Sequence, residues 1–251
     1  MVSQSNDGNH NDWFSNWFDS PYYHILYKNR DYKEAEHFIN QMADFLNFQS
    51  RDKILDLACG RGRHSIYLNK KGLNVVGLDL SPKNIAFARQ FENKRLRFYV
   101  HDMRQVFEEC CFDFVLNLFT SFGYFNQDSE DIKVIKASTE NLKSGGRVII
   151  DFLNPPYVAQ KMIAYEEKLI DGINFQISKK IEQGFIIKTI QFEDQNRHYE
   201  YQERVKAINY EKFMKYFEAS QLDLIHVFGN YMLQSYDQNS SERMIFILEK
   251  K

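Results

Sequence analysis

The stretch that most constrains this chain is Ile54-Leu55-Asp56-Leu57-Ala58-Cys59-Gly60-Arg61-Gly62-Arg63-His64. A short apolar run enters a turn of small residues, and a segment of helical character follows. Such a turn lets a ligand approach the backbone. The helix behind it starts with N–H groups that have no partner inside the helix. Asp79 ends the next apolar run, 19 positions beyond Gly60. A carboxylate there can accept both hydroxyls of a ribose, each charge-assisted bond being worth about 1.5–3 kcal/mol.

The flanking pattern predicts the frame that would carry this turn. Ala35, Phe38, Ile39, Met42, Phe45 and Leu46 share one helical face over 31–48. Apolar runs at 53–58, 74–78, 97–100, 112–116 and 147–152 read as strands. Between them, helices are predicted at 63–71, from Ser81-Pro82 onward and at 128–142. A helix at 209–220 and strands at 222–228 and 244–248 close the chain. Strands alternating with helices predict an α/β fold: a Rossmann-like, seven-stranded, mostly parallel sheet with helices on both faces. The near-continuous apolar strands agree, because such a sheet is buried on both sides.

The rhythm breaks after Pro155-Pro156. Residues 165–207 read as about four antiparallel strands, with turns at Asp171-Gly172, Gln183-Gly184 and 193–196. His198, Glu200, Gln202, Arg204 and Lys206 alternate with Tyr199, Tyr201, Glu203 and Val205, so the two sets face opposite ways. The expected organisation is a disordered polar tail over 1–12 and a main domain over 13–153 and 208–251. An aromatic and helical cap covers 13–48, and an antiparallel insertion covers 154–207. The aromatic segment holds Trp13, Phe14, Trp17, Phe18, Tyr22, Tyr23 and Tyr27. It is too irregular to assign, yet it must bury something.

Composition excludes several classes. With 32 Lys plus Arg against 34 Asp plus Glu, the net charge is −2, a poor footprint for a nucleic-acid binder. Three cysteines cannot build a secreted framework, and no Cys-x-x-Cys or paired histidine spacing suggests a metal. No apolar run approaches the roughly 20 residues of a membrane span, and the polar first twelve residues lack a signal-peptide core. A cytoplasmic protein is expected.

The pattern Asp-x-Ala-x-Gly-x-Gly from Asp56 to Gly62 resembles motif one of class I S-adenosylmethionine (SAM)-dependent methyltransferases, with Ala58 at the family's first glycine. Other landmarks of that family follow in order over about 50–153: Val76 to Ser81, Tyr99 to Arg104, Phe112 to Phe119, and Leu142 to Arg147. The resemblance implies that Asp56, Ala58, Cys59, Gly60 and Gly62 hold SAM. Asp56 would meet its ammonium directly or through water. Asp79 and Leu80 would take the ribose end. Asp102 would accept from the adenine amino group, and the Met103 backbone would meet the ring. Asn117 and Phe119 lie at the end of the fourth strand, which faces the reacting methyl. The product cofactor would be S-adenosylhomocysteine.

Asp102-Met103-Arg104, Phe119-Thr120-Ser121-Phe122-Gly123-Tyr124 and the antiparallel insertion are similar to those of small-molecule N-methyltransferases acting on amino sugars. This implies a small-molecule acceptor methylated at nitrogen or oxygen. It also implies an insertion that forms a substrate pocket or a homodimer surface. Candidates for taking the acceptor's proton are Tyr22, Tyr23, His24, Tyr124, His198 and Glu200. Residues 13–27 fold over the cofactor as a lid, with Tyr22 or Tyr23 near the sulfonium, or they plug the sheet edge or the insertion. Three alternatives stand beside this reading. Asn154-Pro155-Pro156-Tyr157 spells a signature of enzymes that methylate a nucleobase amino group or a protein amide. It follows the fifth strand rather than the fourth, so a plain proline turn is expected there. The others are a nicotinamide-dependent oxidoreductase and a non-enzymatic SAM-binding protein.

Overall fold

The computed structural model describes residues 13–28 and 32–251. The side chains of 13–15 and 32–34 lie outside that description, as does the expected tail over 1–12. Seven strands form the main sheet: β1 (Lys53–Leu57), β2 (Asn74–Asp79), β3 (Leu96–Val100), β4 (Phe112–Asn117), β5 (Leu142–Leu153), β10 (Leu222–Phe228) and β11 (Arg243–Lys250). Their spatial order is β10-β11-β5-β4-β1-β2-β3, with β11 antiparallel to both neighbours and the remaining pairs parallel. The order reverses between β1 and β4, and ligands of open α/β sheets bind at the carboxyl ends beside such a reversal.

Helices cover both faces. On one, α3 (Tyr32–Leu46), α4 (Arg63–Lys70) and α5 (Pro82–Ala88) bury Phe38, Ile39, Met42, Leu68 and Ile85 against Ile54, Leu116 and Ile247. On the other, α6 (Asp128–Asn141) and α8 (Tyr210–Glu218) bury Val134, Ile135, Phe213 and Phe217 against Leu55, Val115 and Phe246. Ser81 caps α5, its hydroxyl accepting from the Asn84 N–H, with Pro82 in the first turn.

The second sheet is β6 (Tyr165–Ile170), β7 (Ile173–Glu182), β8 (Phe185–Asp194) and β9 (Arg197–Lys206), an antiparallel meander. Asp171-Gly172 and Gln183-Gly184 turn its first two hairpins with positive φ at all four residues, and Gln195-Asn196 turns the third. The segment without a clear period proves to be two short helices, α1 (Trp13–Phe18) and α2 (Pro21–Leu26). Trp17 and Leu26 are buried with Phe175, Ile177, Ile190 and Phe192 on one face of the meander. Trp17 Nε1 and the Tyr27 hydroxyl both donate to Glu203, at 2.8 and 2.5 Å. The root of the meander is buried too. Lys206 Nζ lies 2.6 Å from Asp131 and 2.9 Å from Asp128.

Residues 154–157 are not a plain turn. Asn154 precedes α7 (Pro155–Lys161), with proline in its first turn, where the missing N–H costs nothing.

Candidate functional site at the carboxyl edge of the sheet

The turn after β1 is built on left-handed backbone at Ala58, Gly60 and Gly62. Gly62 and Gly77 are required by packing. A Cβ on either would lie within 2.7 Å of the Phe98 ring, so β1, β2 and β3 close over that ring. Gly60 differs, because a Cβ there would meet no protein atom within 4 Å. Its small size keeps space open on the ligand side of the turn.

Asp79 fixes this turn. One carboxylate oxygen accepts from Gly60 N and the other from Ser81 N, both at 2.8 Å. Burial pushes its pKa up, against the pull of those two backbone donors. The Asn84 side chain also bonds to it, and a carboxylate has about four acceptor directions, so about one is left for a ligand. Leu80, beside it, is exposed.

Two other acidic residues behave differently from their expected roles. Asp56 is buried on the α4 side and accepts from the Ser65 hydroxyl at 2.5 Å. Burial raises its pKa to about 7, although Ser65 holds it back. In this structure Asp56 anchors the start of α4 through Ser65. Asp102 is engaged by Arg104. Its oxygens accept from the Arg104 backbone N–H, from Nε twice and from Nη2, at 2.5–3.0 Å. The pair shapes the loop after β3, and its three N–H groups take most of the acceptor capacity of Asp102. Met103 is half-buried against the core beside it.

The turn after β4 is the most constrained point of the site. Phe119 and Thr120 are both left-handed, with φ of 58° and 60°. Non-glycine residues held so cost about 1–3 kcal/mol each. The surroundings hold them there. Asp151, fully buried on β5, accepts from Phe119 N at 2.8 Å and from the Tyr231 hydroxyl at 3.0 Å. Arg243 Nε donates to Asp151 at 2.8 Å, and Arg243 Nη2 donates to Thr120 Oγ1 at 2.9 Å. The Phe119 ring stacks on Tyr231 and carries the Arg63 guanidinium 4.4 Å from its centre. Asn117 is buried and donates to Ser121 O at 3.0 Å, while its Oδ1 has no partner among the described residues. The sequence reading missed Asp151, Arg243 and Tyr231. A single acid inside the apolar strand Val148–Phe152 was the available signal.

The proton-taking candidates separate into two groups. Tyr23 and Tyr124 meet through Phe18, whose ring lies 5.0 Å from one and 5.7 Å from the other. The Tyr124 hydroxyl donates to Thr120 O at 2.9 Å. His24 sits by Asn84, Asp19 and Arg61. Burial first, and then Arg61, lowers its pKa to about 4. Asp19 accepts from the Ser81 hydroxyl. Tyr22 instead packs on Phe192 and Tyr199 and donates to Asp194 at 2.7 Å, inside the meander. His198 and Glu200 are exposed on the meander's other face, where Glu200 accepts from Gln191. The structure does not bring these three to the site. The cap thus plugs the meander with Trp17 and Tyr22 and reaches the ligand edge with Asp19 and His24.

The Asn154 amide is also spoken for. Its Nδ2 donates to Gln238 O at 2.9 Å and to Ser241 O at 2.6 Å, tying down the loop before β11. Among the described residues no helix is long and apolar enough to cross a membrane.

Comparison with known proteins places this geometry. Residues 54–146 match the methyltransferase domain family. A putative methyltransferase of Bacillus subtilis, YqeM, is 35% identical over 104 residues, covering 40% of this chain and 42% of that protein. The dTDP-3-amino-3,4,6-trideoxy-alpha-D-glucopyranose N,N-dimethyltransferase of Streptomyces venezuelae is 28% identical over 134 residues, covering 51% of this chain and 54% of that one. The chain therefore spans about half the length of the curated relatives it matches. The crystal structure of a SAM-dependent methyltransferase from Clostridium acetobutylicum superposes with a TM-score of 0.77 at 23% identity, over 91% of this chain and 96% of that one. The two chains share a fold over nearly their whole length.

Proposed function

We propose that this chain, whose residues 54–146 are a methyltransferase domain, binds SAM at the carboxyl edge of β1, β2 and β4. In this reading it transfers the methyl group to a nitrogen of a small-molecule acceptor. One observation carries the cofactor half. Asp79 is fixed by Gly60 N and Ser81 N, with acceptor capacity left over, beside a turn that Gly60 keeps open. That arrangement fits a ribose hydroxyl at the end of β2. The Streptomyces relative, whose name states an amino-sugar N,N-dimethyltransferase, supports an amine acceptor.

When bound, SAM supplies an electrophilic methyl carbon on a positively charged sulfur. The chain's own contribution is alignment, which can be worth about 7–11 kcal/mol. Asp79 holds the ribose end. Phe119 and Thr120, fixed by Asp151 and Arg243, give the acceptor side an immobile floor. Phe18, Tyr23 and Tyr124 give it an aromatic wall. His24 is uncharged at neutral pH, so it adds no positive charge beside a cationic cofactor. With a pKa near 4 it is also a weak base, and Tyr124 already donates to Thr120. The acceptor amine therefore enters neutral and its proton leaves to water.

The cap and the 154–207 insertion form the acceptor enclosure, and the edge strand β6, with Tyr165 and Leu169 exposed, offers a homodimer surface. The site of action in this reading is the cytoplasm. Nothing in the geometry of Asn154 favours methylation of a nucleic acid or a protein amide.

The test is transfer of labelled methyl from SAM to a panel of amino sugars, simple amines and matched alcohols. Label on amines supports the reading. Label on alcohols alone, or on nucleic acid or protein alone, overturns the acceptor assignment.

A further inference from the structure

Asp79 ends β2, yet the bonds around it reach back to the start of the chain. Ser81 N and Gly60 N donate to its carboxylate at 2.8 Å. The Ser81 hydroxyl has two further partners. It accepts from Asn84 N at 3.0 Å, which caps α5, and it donates to Asp19 of the cap. Asp19 lies in the short link between α1 and α2. Asn84, in the first turn of α5, is only 4% exposed. Its side chain bonds to Asp79 on one side and to His24 of α2 on the other.

An amide can serve both neighbours because it donates at one end and accepts at the other. The Asn84 bond works against the rise in the Asp79 pKa, so the amide N–H donates to the carboxylate. The same side chain works against the fall in the His24 pKa, so the imidazole N–H donates to the amide oxygen. The amide has two orientations, half a turn apart. Reversed, its oxygen would face the Asp79 carboxylate, and two acceptors repel. The His24 N–H selects the orientation that presents a donor to Asp79. Trp17 and Leu26, buried on the meander, hold the cap from behind. Asp19 and His24 each follow directly on a residue of the aromatic wall, Phe18 and Tyr23, and the Tyr23 and His24 rings meet edge-on at 5.3 Å. One small piece of chain therefore carries both the acceptor wall and the support of the ribose acid.

We propose, resting on the reading that Asp79 holds the ribose of SAM, that His24 and Asn84 are positioning residues for that carboxylate: His24 orients the Asn84 amide and Asn84 orients Asp79, so the docked cap sets cofactor affinity. Gly60 N, Ser81 N and the Asn84 amide occupy about three of the four acceptor directions of Asp79. The amide thus decides which direction is left for the ribose. Neither positioning residue needs to touch the cofactor. By linkage, bound SAM tightens the docking of the cap by the same factor by which the docked cap tightens SAM.

The experiment titrates full-length variants with SAM by calorimetry and follows amide hydrogen exchange over residues 17–27. His24→Phe keeps a ring but loses the N–H, and should weaken SAM about fivefold, the scale of one neutral hydrogen bond. His24→Gln restores an N–H donor and should recover most of that loss. Asn84→Ala should weaken SAM about tenfold. Adding His24→Phe to it should cost nothing further, because the chain of bonds is already broken. Tyr22→Phe loses the bond to Asp194 that pins the same cap to the meander, and should leave SAM affinity unchanged. Saturating SAM should slow exchange over 17–27 more in the wild type than in His24→Phe. The His24 variants carry the test by themselves where Asn84→Ala does not fold. Equal SAM affinity in His24→Phe and the wild type overturns the proposal. So does a loss in His24→Gln as large as in His24→Phe, additive losses in the double variant, a Tyr22→Phe loss equal to that of His24→Phe, or equal protection of 17–27 in both proteins. No SAM binding by the folded wild type overturns the cofactor reading itself, and the positioning role with it.

Discussion

Asp56→Asn tests whether a buried carboxylate lies beneath the ligand turn. Asp56 is 1% exposed, with Ser65 as its hydrogen-bond partner. Burial raises its folded pKa to about 7 from an ordinary value of 3.8. The folded state therefore holds a proton that the unfolded state has released. Stability from this group is fully present below the unfolded pKa and is lost as pH rises through the folded one. Each pKa unit is worth about 1.4 kcal/mol, so the loss between pH 4 and pH 8 approaches about 4 kcal/mol. Asparagine cannot titrate and removes this slope. His24, whose pKa is lowered, tilts stability the other way, and it does so equally in both proteins. The useful quantity is the difference between variant and wild type, in which constant costs such as an unpaired amide also cancel. Urea denaturation at pH 4.5, 6 and 8 measures it. The variant should gain on the wild type by about 3–4 kcal/mol across that range. A difference that stays flat within 1 kcal/mol would show that Asp56 ionises normally and would refute the reasoning.

Three further outcomes follow from contacts elsewhere. Lys206→Met leaves Asp131 buried without its cation and should cost about 3–5 kcal/mol; adding Asp131→Asn should recover part of it in urea titrations. Gly77→Ala places a Cβ 2.5 Å from the Phe98 ring. It should cost about 1–3 kcal/mol, with partial recovery in Gly77→Ala/Phe98→Leu by thermal denaturation. Asn154→Ala strands the Gln238 and Ser241 carbonyls and should cost about 1–3 kcal/mol. Its calorimetric affinity for SAM should equal that of the wild type.

The main sheet was readable because its signals are local. Apolar runs leading into helix starts such as Ser81-Pro82 fix element type without help from distant residues, and β-turn residues fixed the meander in the same way. The aromatic cap was not readable. Its two helices are six residues each, too short to display a period, and they exist because Trp17 and Leu26 are buried on the meander. Asp79 could be placed from spacing, since strand, turn and helix are consecutive. Asp102 could not be judged, because sequence order does not show that Arg104 folds back onto it. Asp151 and Arg243 are 92 positions apart and meet only through the pairing of β5 with β11. A strained turn supported by distant strands leaves no local mark except an acid in an apolar run.

The central claim is that Asp79 and the open turn beside it hold the ribose of SAM. Calorimetric titration of the purified protein with SAM and S-adenosylhomocysteine, with NADH as control and Asp79→Ala alongside, tests it most directly. The account predicts micromolar binding of both adenosyl ligands, none of NADH, and loss of binding in a folded Asp79→Ala protein. Binding of NADH instead, or SAM affinity unchanged in Asp79→Ala, would contradict it.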